Sequence, residues 1–330
     1  MKAVFIDANP SLADVAERLH RDDDIALVVH RQADITPDQI PAVMGDANIL
    51  IVDHTAVPVE IAKQCPGLKH VVFLGTGARS YMDPEALAAI GIEVHIIKGY
   101  GDTAVAECAF ALMWASAKGF AAMDRGMRAG NWLRTDGIEL TGKTLGLIGF
   151  GGIAGEMARL ALGAGMEVIA WNRSPKAYPG VRFVELDELL GRSHVISVHL
   201  LLNDETRGFL NAERIAKMRD GVILINTARG AVIDEQAMMA ALKSKKIGHA
   251  GLDVFDIEPL PAAHPLTLIE NVTLSAHSAF RTPEASDNLI EASLNHCRRI
   301  SGQGKQTNST ILRIKYCRAI GCLNNTGCST

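Results

Sequence analysis

The segment Thr144-Leu-Gly-Leu-Ile-Gly149-Phe-Gly151-Gly-Ile-Ala154-Gly155 restricts the fold more than any other stretch of the chain. A short apolar strand runs into a glycine turn and then a helix over Glu156 to Leu162. A second apolar run, Glu167-Val-Ile-Ala-Trp171, follows. Two strands joined through a helix make a βαβ unit, and its turn has the G-x-G-x-x-A form of a dinucleotide fingerprint. The glycines let backbone N–H groups approach a pyrophosphate at the positive end of the helix. Gly149, Gly151, Gly152 and Ile153 are therefore the expected contacts. The motif lies near the middle of 330 residues, so a large part of the chain is committed to something besides the nucleotide.

The same alternation runs through the rest of the sequence. Strands are read at Ala3–Ile6, Ala26–His30, Ile49–Val52, Val71–Leu74 and Glu93–Ile96, with helices around Leu12–His20, Asp38–Met44, Pro58–Gln64 and Pro84–Ile90. Asp102 to Arg128 reads as one long helix with Thr103 as its N-terminal cap. Further strands are read at Leu145–Ile148, Val168–Trp171, Val195–His199, Val222–Asn226, His249–Asp253 and Val272–Leu274, then a helix from Pro283 to Arg299. Short apolar strands without alternation, separated by helices, imply parallel sheets covered on both faces. The expected class is α/β with two doubly wound parallel-sheet domains. A Rossmann nucleotide domain (102–282) is inserted in a flavodoxin-like substrate domain (1–101 plus 283–304), and 305–330 is an irregular tail.

Composition excludes several functions. The chain is 48% hydrophobic and 21% charged, and its net charge of −4 is spread without long runs of one sign. That argues against a nucleic-acid partner. Met1-Lys-Ala-Val-Phe-Ile-Asp7 meets an acidic stop where a signal peptide stays apolar. The apolar helix Ala104 to Ala117 includes Glu107 and is shorter than the roughly 20 residues of a membrane span. A cytoplasmic location without a membrane partner is expected. Cys65, Cys108 and Cys297 are read as reduced packing thiols. Cys317, Cys322 and Cys328 form no C-x-x-C pair, and no metal site is expected.

In an open parallel sheet, ligands collect beyond the carboxyl ends of the strands. Arg229 follows one strand in Asn226-Thr-Ala-Arg-Gly230, Glu258 follows the next in Asp253-Val-Phe-Asp-Ile-Glu258, and His277 follows a third in Leu274-Ser-Ala-His277. A cation, a carboxylate and an imidazole at one sheet edge can hold an acid anion, tune a proton donor and deliver a proton. Alone, each is more often a surface or structural residue; in this order behind a nucleotide fingerprint, they read as a site. Gly75-Thr76-Gly77 also follows a strand, and its backbone N–H groups can cradle a carboxylate. At the end of the second strand of the βαβ unit, NAD-specific folds carry an acid for the ribose hydroxyl. Here Trp171 is followed by Asn172, Arg173 and Ser174. No carboxylate repels a 2′-phosphate and Arg173 attracts one, so NADP is the preferred cofactor, with NAD the other possibility.

From about Val71 to Arg299 the chain resembles the D-isomer-specific 2-hydroxyacid dehydrogenase family. Trp132 to Gly155 with Glu139-Leu-Thr-Gly142-Lys-Thr-Leu, then Ile196-Ser-Val-His199-Leu, Glu205-Thr206-Arg207-Gly208, Asn226-Thr-Ala-Arg229-Gly, Leu252-Asp253 with Glu258-Pro259-Leu260, and His277 are similar to its motifs in order. The resemblance implies that Arg229 grips the substrate carboxylate and keto oxygen. His277 transfers the proton, and Glu258 favours the imidazole's charged form. It further implies cofactor contacts from Thr103, Thr206, Thr227 and Ala228, with Asp253 holding the nicotinamide carboxamide. Arg79-Ser-Tyr81 departs from the family's usual run, leaving substrate identity open and Arg79 and Tyr81 as selectivity or surface residues. The implied activity is hydride transfer between NAD(P)H and a small 2-oxo acid such as glyoxylate or hydroxypyruvate, giving a D-2-hydroxy acid. A homodimer is implied, built with the Arg128–Ile138 arm around Trp132. The competing class is a dinucleotide-sensing, corepressor-like binding protein; another mid-chain Rossmann enzyme would need catalytic residues in the first domain that are not in evidence there.

Overall fold

The computed structural model describes residues 1–21, 25–174 and 176–302. The expected tail 305–330, with Cys317, Cys322 and Cys328, lies outside the described residues. The chain forms two compact units. One comprises Met1–Ile97 with the described residues from Leu289 to Gly302, and the other comprises Lys98–Asn288.

In the first unit β1 (Lys2–Phe5), α1 (Pro10–Leu19), β2 (Ala26–Val29), α2 (Ile40–Met44), β3 (Ile49–Val52), α3 (Val59–Ala62), β4 (His70–Phe73), α4 (Pro84–Ala89) and β5 (Glu93–Ile96) follow one another. The sheet is parallel throughout, in the order β2-β1-β3-β4-β5, the flavodoxin-like winding. β3, Ile-Leu-Ile-Val, is buried at every position, as a strand covered on both faces must be.

The second unit begins with α5 (Asp102–Lys118) and α6 (Phe120–Arg128). These take the place of the single helix expected over 102–128. Gly119 breaks it at φ +66, where an added Cβ would lie 2.6 Å from Thr135 Oγ1. Such a left-handed residue ends a helix through its C-terminal cap. The start is corrected as well: Gly101 occupies the cap position, and Thr103 lies exposed inside the first turn. The remaining elements are β6 (Thr144–Ile148), α7 (Gly152–Gly163), β7 (Glu167–Trp171), β8 (Val181–Phe183), α8 (Leu186–Arg192), β9 (Val195–Val198), α9 (Ala212–Lys217), β10 (Val222–Asn226), α10 (Glu235–Lys243), β11 (Ile247–Leu252), β12 (Val272–Leu274) and α11 (Pro283–Ile300). The last helix runs from the second unit into the first.

The seven parallel strands are ordered β12-β11-β10-β9-β6-β7-β8. From β8 to β11 this is the Rossmann winding, with its switch point between β6 and β9 and one further strand added. The sequence reading lacks β8, which spans three residues and pairs with β7 at the sheet edge. Small residues let α5 and α7 approach: Ala106 and Ala109 share one buried cluster with Ala154 and Ala158, filled out by Met113 and Met157. That packing sets the start of α5 against the glycine turn.

Candidate active site

The turn between β6 and α7 is built from backbone. Gly149 has φ +85, and a Cβ there would lie 2.7 Å from the His199 carbonyl oxygen, so glycine is required by both conformation and space. At Gly151, the helix cap, a Cβ would meet nothing within 4 Å. No side chain caps α7, so the first-turn N–H groups, Gly152 and Ile153 among them, lack a side-chain partner at the helix start. An uncapped helix start of this kind suits a pyrophosphate. One charged neighbour escaped the sequence reading. Asp102 lies against the turn: its carboxylate occupies the place a Gly152 Cβ would take. Burial, with a lesser effect of the Glu156 charge, raises the Asp102 pKa.

Past β7, Asn172 Oδ1 accepts from Phe150 N at 3.0 Å and Nδ2 donates to the Ser174 carbonyl at 2.8 Å. The amide therefore ties the nucleotide turn to the end of β7. Arg173 pairs with Glu205 at 2.6 Å, both side chains largely exposed. Lys176, also absent from the sequence reading, places Nζ 2.5 Å from the Phe150 carbonyl oxygen. The hydroxyl of Thr206 is used within its own loop, donating to the Leu201 carbonyl at 2.6 Å. Thr227 is buried, and its Oγ1 has no hydrogen-bond partner among the described residues.

Three successive strand ends then form a connected network. Asn226, the polar residue closing the apolar strand β10, is buried. Its Nδ2 donates to the Arg229 carbonyl at 2.9 Å and its Oδ1 accepts from Ala228 N at 3.0 Å. This turn presents Arg229, half-buried, with Nη1 2.6 Å from the Ala228 carbonyl oxygen. Gly230 follows because a Cβ there would lie 2.0 Å from the Phe255 carbonyl carbon. The Arg229 loop is thus pressed onto the loop that carries Glu258. Glu258 Oε1 accepts from Phe255 N at 2.9 Å, while Oε2 meets His277 Nδ1 at 2.6 Å.

His277 itself has φ +47, uncommon for a residue with a Cβ. The loop compensates by bonding: His277 N donates to the Asp253 carbonyl at 2.8 Å. The Asp253 side chain is fully buried. Oδ1 accepts from Ser275 Oγ at 2.5 Å and Ser278 N at 3.0 Å, and Oδ2 accepts from Ala279 N at 3.0 Å. Asp253 positions the His277 loop. With Nδ1 committed to Glu258, His277 Nε2 has no partner among the described residues.

Gly75, Thr76 and Gly77 belong to the first unit, after β4. Gly75, at φ +153, accepts from Ile97 N at 3.1 Å, and Thr76 is exposed. Arg79 is in an exposed ion pair with Glu85. Tyr81 stacks on Phe73 with ring centroids 5.3 Å apart, which makes it a packing residue.

Residues 110–279 match the NAD binding domain of the D-isomer specific 2-hydroxyacid dehydrogenases. The chain belongs to this family. A hydroxypyruvate reductase of Thermotoga maritima is 38% identical over 77% of this chain and 83% of its own. A glyoxylate reductase of Aeropyrum pernix is 36% identical over 71% and 76%. The solved D-lactate dehydrogenase of Escherichia coli superposes with a TM-score of 0.81 at 26% identity, covering 93% of this chain and 99% of that one. The protein is therefore an oxidoreductase that uses a nicotinamide dinucleotide. The uncapped turn at Gly151 and the orphaned Thr227 hydroxyl fit such a cofactor. No helix among the described residues is long and apolar enough to cross a membrane.

Proposed function

We propose that the chain reduces small 2-oxo acids to D-2-hydroxy acids, preferring NADPH, with glyoxylate and hydroxypyruvate as the first substrates to test. The observation that carries this reading is the His277–Glu258 contact of 2.6 Å, which leaves Nε2 to face a ligand. A bound nicotinamide supplies the hydride that reduces the oxo carbon. Nε2 of the protonated imidazole gives its proton to the developing alkoxide, and takes one back in oxidation. Glu258 holds the ring in orientation and balances its charge. The Arg229 guanidinium, a bidentate donor, fixes the substrate carboxylate and keto oxygen so that the carbonyl face is presented in one sense. Gly75, Thr76 and Gly77 are further candidate substrate contacts, in a substrate domain taken as 1–101 plus 283–304, with 102–282 as the nucleotide domain.

The NADPH preference rests on Asn172-Arg173-Ser174 and on Lys176 beside them. No acid follows β7, and the Arg173–Glu205 pair is exposed. Exposed pairs are worth only about 0–1 kcal/mol, so a 2′-phosphate can displace Glu205. The exposed Phe120, Met127, Trp132 and Leu133 supply an apolar surface for a homodimer, which sedimentation would check. A cytoplasmic location agrees with the free thiols of Cys65 and Cys108.

The deciding experiment follows NADPH and NADH absorbance with a panel of 2-oxo acids. Turnover of a small 2-oxo acid is expected, faster with NADPH. Tight dinucleotide binding with no turnover of any acid would replace this reading by a sensor.

A further inference from the structure

A second cluster of chemistry-bearing side chains lies in the first unit. The parallel register sets His70 beside Glu93 and Val72 beside His95 on β4 and the edge strand β5. Side chains alternate along a strand, so His70, Glu93 and His95 stand on one face. His70 Nδ1 and His95 Nε2 are 3.2 Å apart, and each is 3.7 Å from Glu93 Oε2. Metal–nitrogen bonds of about 2.0–2.1 Å in a tetrahedron put neighbouring ligand atoms about 3.3–3.4 Å apart. The three observed separations bracket that spacing.

The surroundings agree. Two ring nitrogens at 3.2 Å cannot both carry protons, so at least one lone pair points into the gap. Among the described residues the ion-pair partners of Glu93 are these two imidazoles, with no lysine or arginine. His296 of α11 packs on the His95 ring, centroids 4.5 Å apart, and its Nδ1 accepts from Arg299 at 2.7 Å. The two histidine side chains are 19% and 12% exposed while Glu93 is 69% exposed, so the gap opens to solvent on the carboxylate side. The Arg299 charge weakens a cation site; the Glu93 carboxylate opposes that effect from within it.

We propose that His70 Nδ1, His95 Nε2 and the Glu93 carboxylate bind a divalent first-row transition ion of the zinc class, with water as fourth ligand, clipping β5 to β4. Two imidazoles with one carboxylate suit such an ion better than magnesium or calcium, which prefer all-oxygen shells. The site departs from the sequence expectation of no metal, which rested on the cysteines alone. It uses no residue of the reductase reading and stands or falls independently of it.

The test is equilibrium dialysis of the untagged, chelator-treated chain against zinc, and separately cobalt, chloride. One equivalent per chain is expected, with the visible d–d bands of tetrahedral Co2+. Loss of a group that merely hydrogen-bonds a metal ligand lowers affinity about 10–100-fold, so His95→Asn and Glu93→Gln should each lower it by about 100-fold or more. His20→Asn should leave it unchanged. If His95→Asn does not fold, Glu93→Gln on the exposed side chain carries the comparison. Absence of stoichiometric metal on the folded wild type, octahedral cobalt bands, or equal binding by Glu93→Gln and wild type would overturn the site.

Discussion

The two units repeat one architecture with opposite outcomes at the same topological points. In each, the first strand turns into a helix. After β1, Asn9 caps α1 by accepting from Leu12 N at 3.0 Å, and Pro10 has no N–H to offer. After β6, Gly151 caps nothing and leaves the first turn of α7 open. Each unit also carries a fully buried aspartate past a strand end that knits the loop of a neighbouring strand. Asp7 accepts from Asp53 N, His54 N and Thr55 N at 2.9 Å each; Asp253 does the same for the His277 loop. Both loops bear a histidine with a carboxylate at Nδ1. His54, however, is closed, with Nδ1 on Asp53 and Nε2 2.9 Å from the Ala33 carbonyl oxygen. The histidine of the second unit has no Nε2 partner among the described residues. A shared scaffold becomes a site where polar groups are left unsatisfied toward a ligand.

The sharpest break of that contrast is His277→Ala set against His54→Ala. General acid–base groups contribute about 10²–10⁴-fold. Turnover should fall by that factor in the first variant, with cofactor affinity within about twofold by fluorescence titration. The second should turn over normally. A His277 variant with near-wild-type kcat would remove the proton-transfer role.

The next test closes the open turn. A Cβ at Gly151 meets nothing within 4 Å, so Gly151→Asn should fold and install the cap that α1 already has. Charge-assisted hydrogen bonds to an anion are worth about 1.5–3 kcal/mol. Dinucleotide Kd should therefore rise roughly 10–100-fold, while the melting temperature without cofactor holds or rises. An unchanged Kd would mean that the helix terminus does not hold the pyrophosphate.

Sequence alone carries much of this contrast. Glycines at 149 and 151 against Asn9-Pro10 are local chemistry, and short buried strands such as Val222–Asn226 announce themselves by unbroken apolar runs. The losses lie where a partner is remote along the chain. Gly119 is the exception: after Lys118 it is a helix-stop signal, but apolar residues on both sides carry the helical reading through it. Asp102 matters through Gly152, and Asp253 is tied to residues 275–279; neither pairing has a local signature. β8 is too short for a period to register, and Lys176 reaches the nucleotide turn only through the fold. His70 and His95 meet only through the β4–β5 register.

A smaller effect separates the two cofactors. Arg173→Ala should raise KM for NADPH roughly tenfold, the scale of one charge-assisted contact, and KM for NADH less than about twofold. Equal changes for both would leave Arg173 as a solvated residue paired with Glu205.

The smallest expected effect belongs to the closed histidine. The hydrogen bond to Asp53, then the charges of Asp7 and Asp53, outweigh burial and raise the His54 pKa to about 9. The folded state therefore binds this proton more tightly than the unfolded chain, whose ordinary value is about 6.5. The resulting stability is fully present below about pH 6.5 and is lost as pH rises through about 9. The side chain is 43% exposed, so solvent screening holds the contribution below about 1 kcal/mol. In thermal unfolding, wild type should lose less than about 4 °C between pH 6 and 9.5 through this group, and His54→Gln should lack that loss. If wild type and variant share the same pH slope, the imidazole is not held as a cation. Its loop would then be fixed without an ionic His54–Asp53 pair, chiefly by the bonds to Asp7, and the likeness between the two histidine loops would end at the buried aspartate.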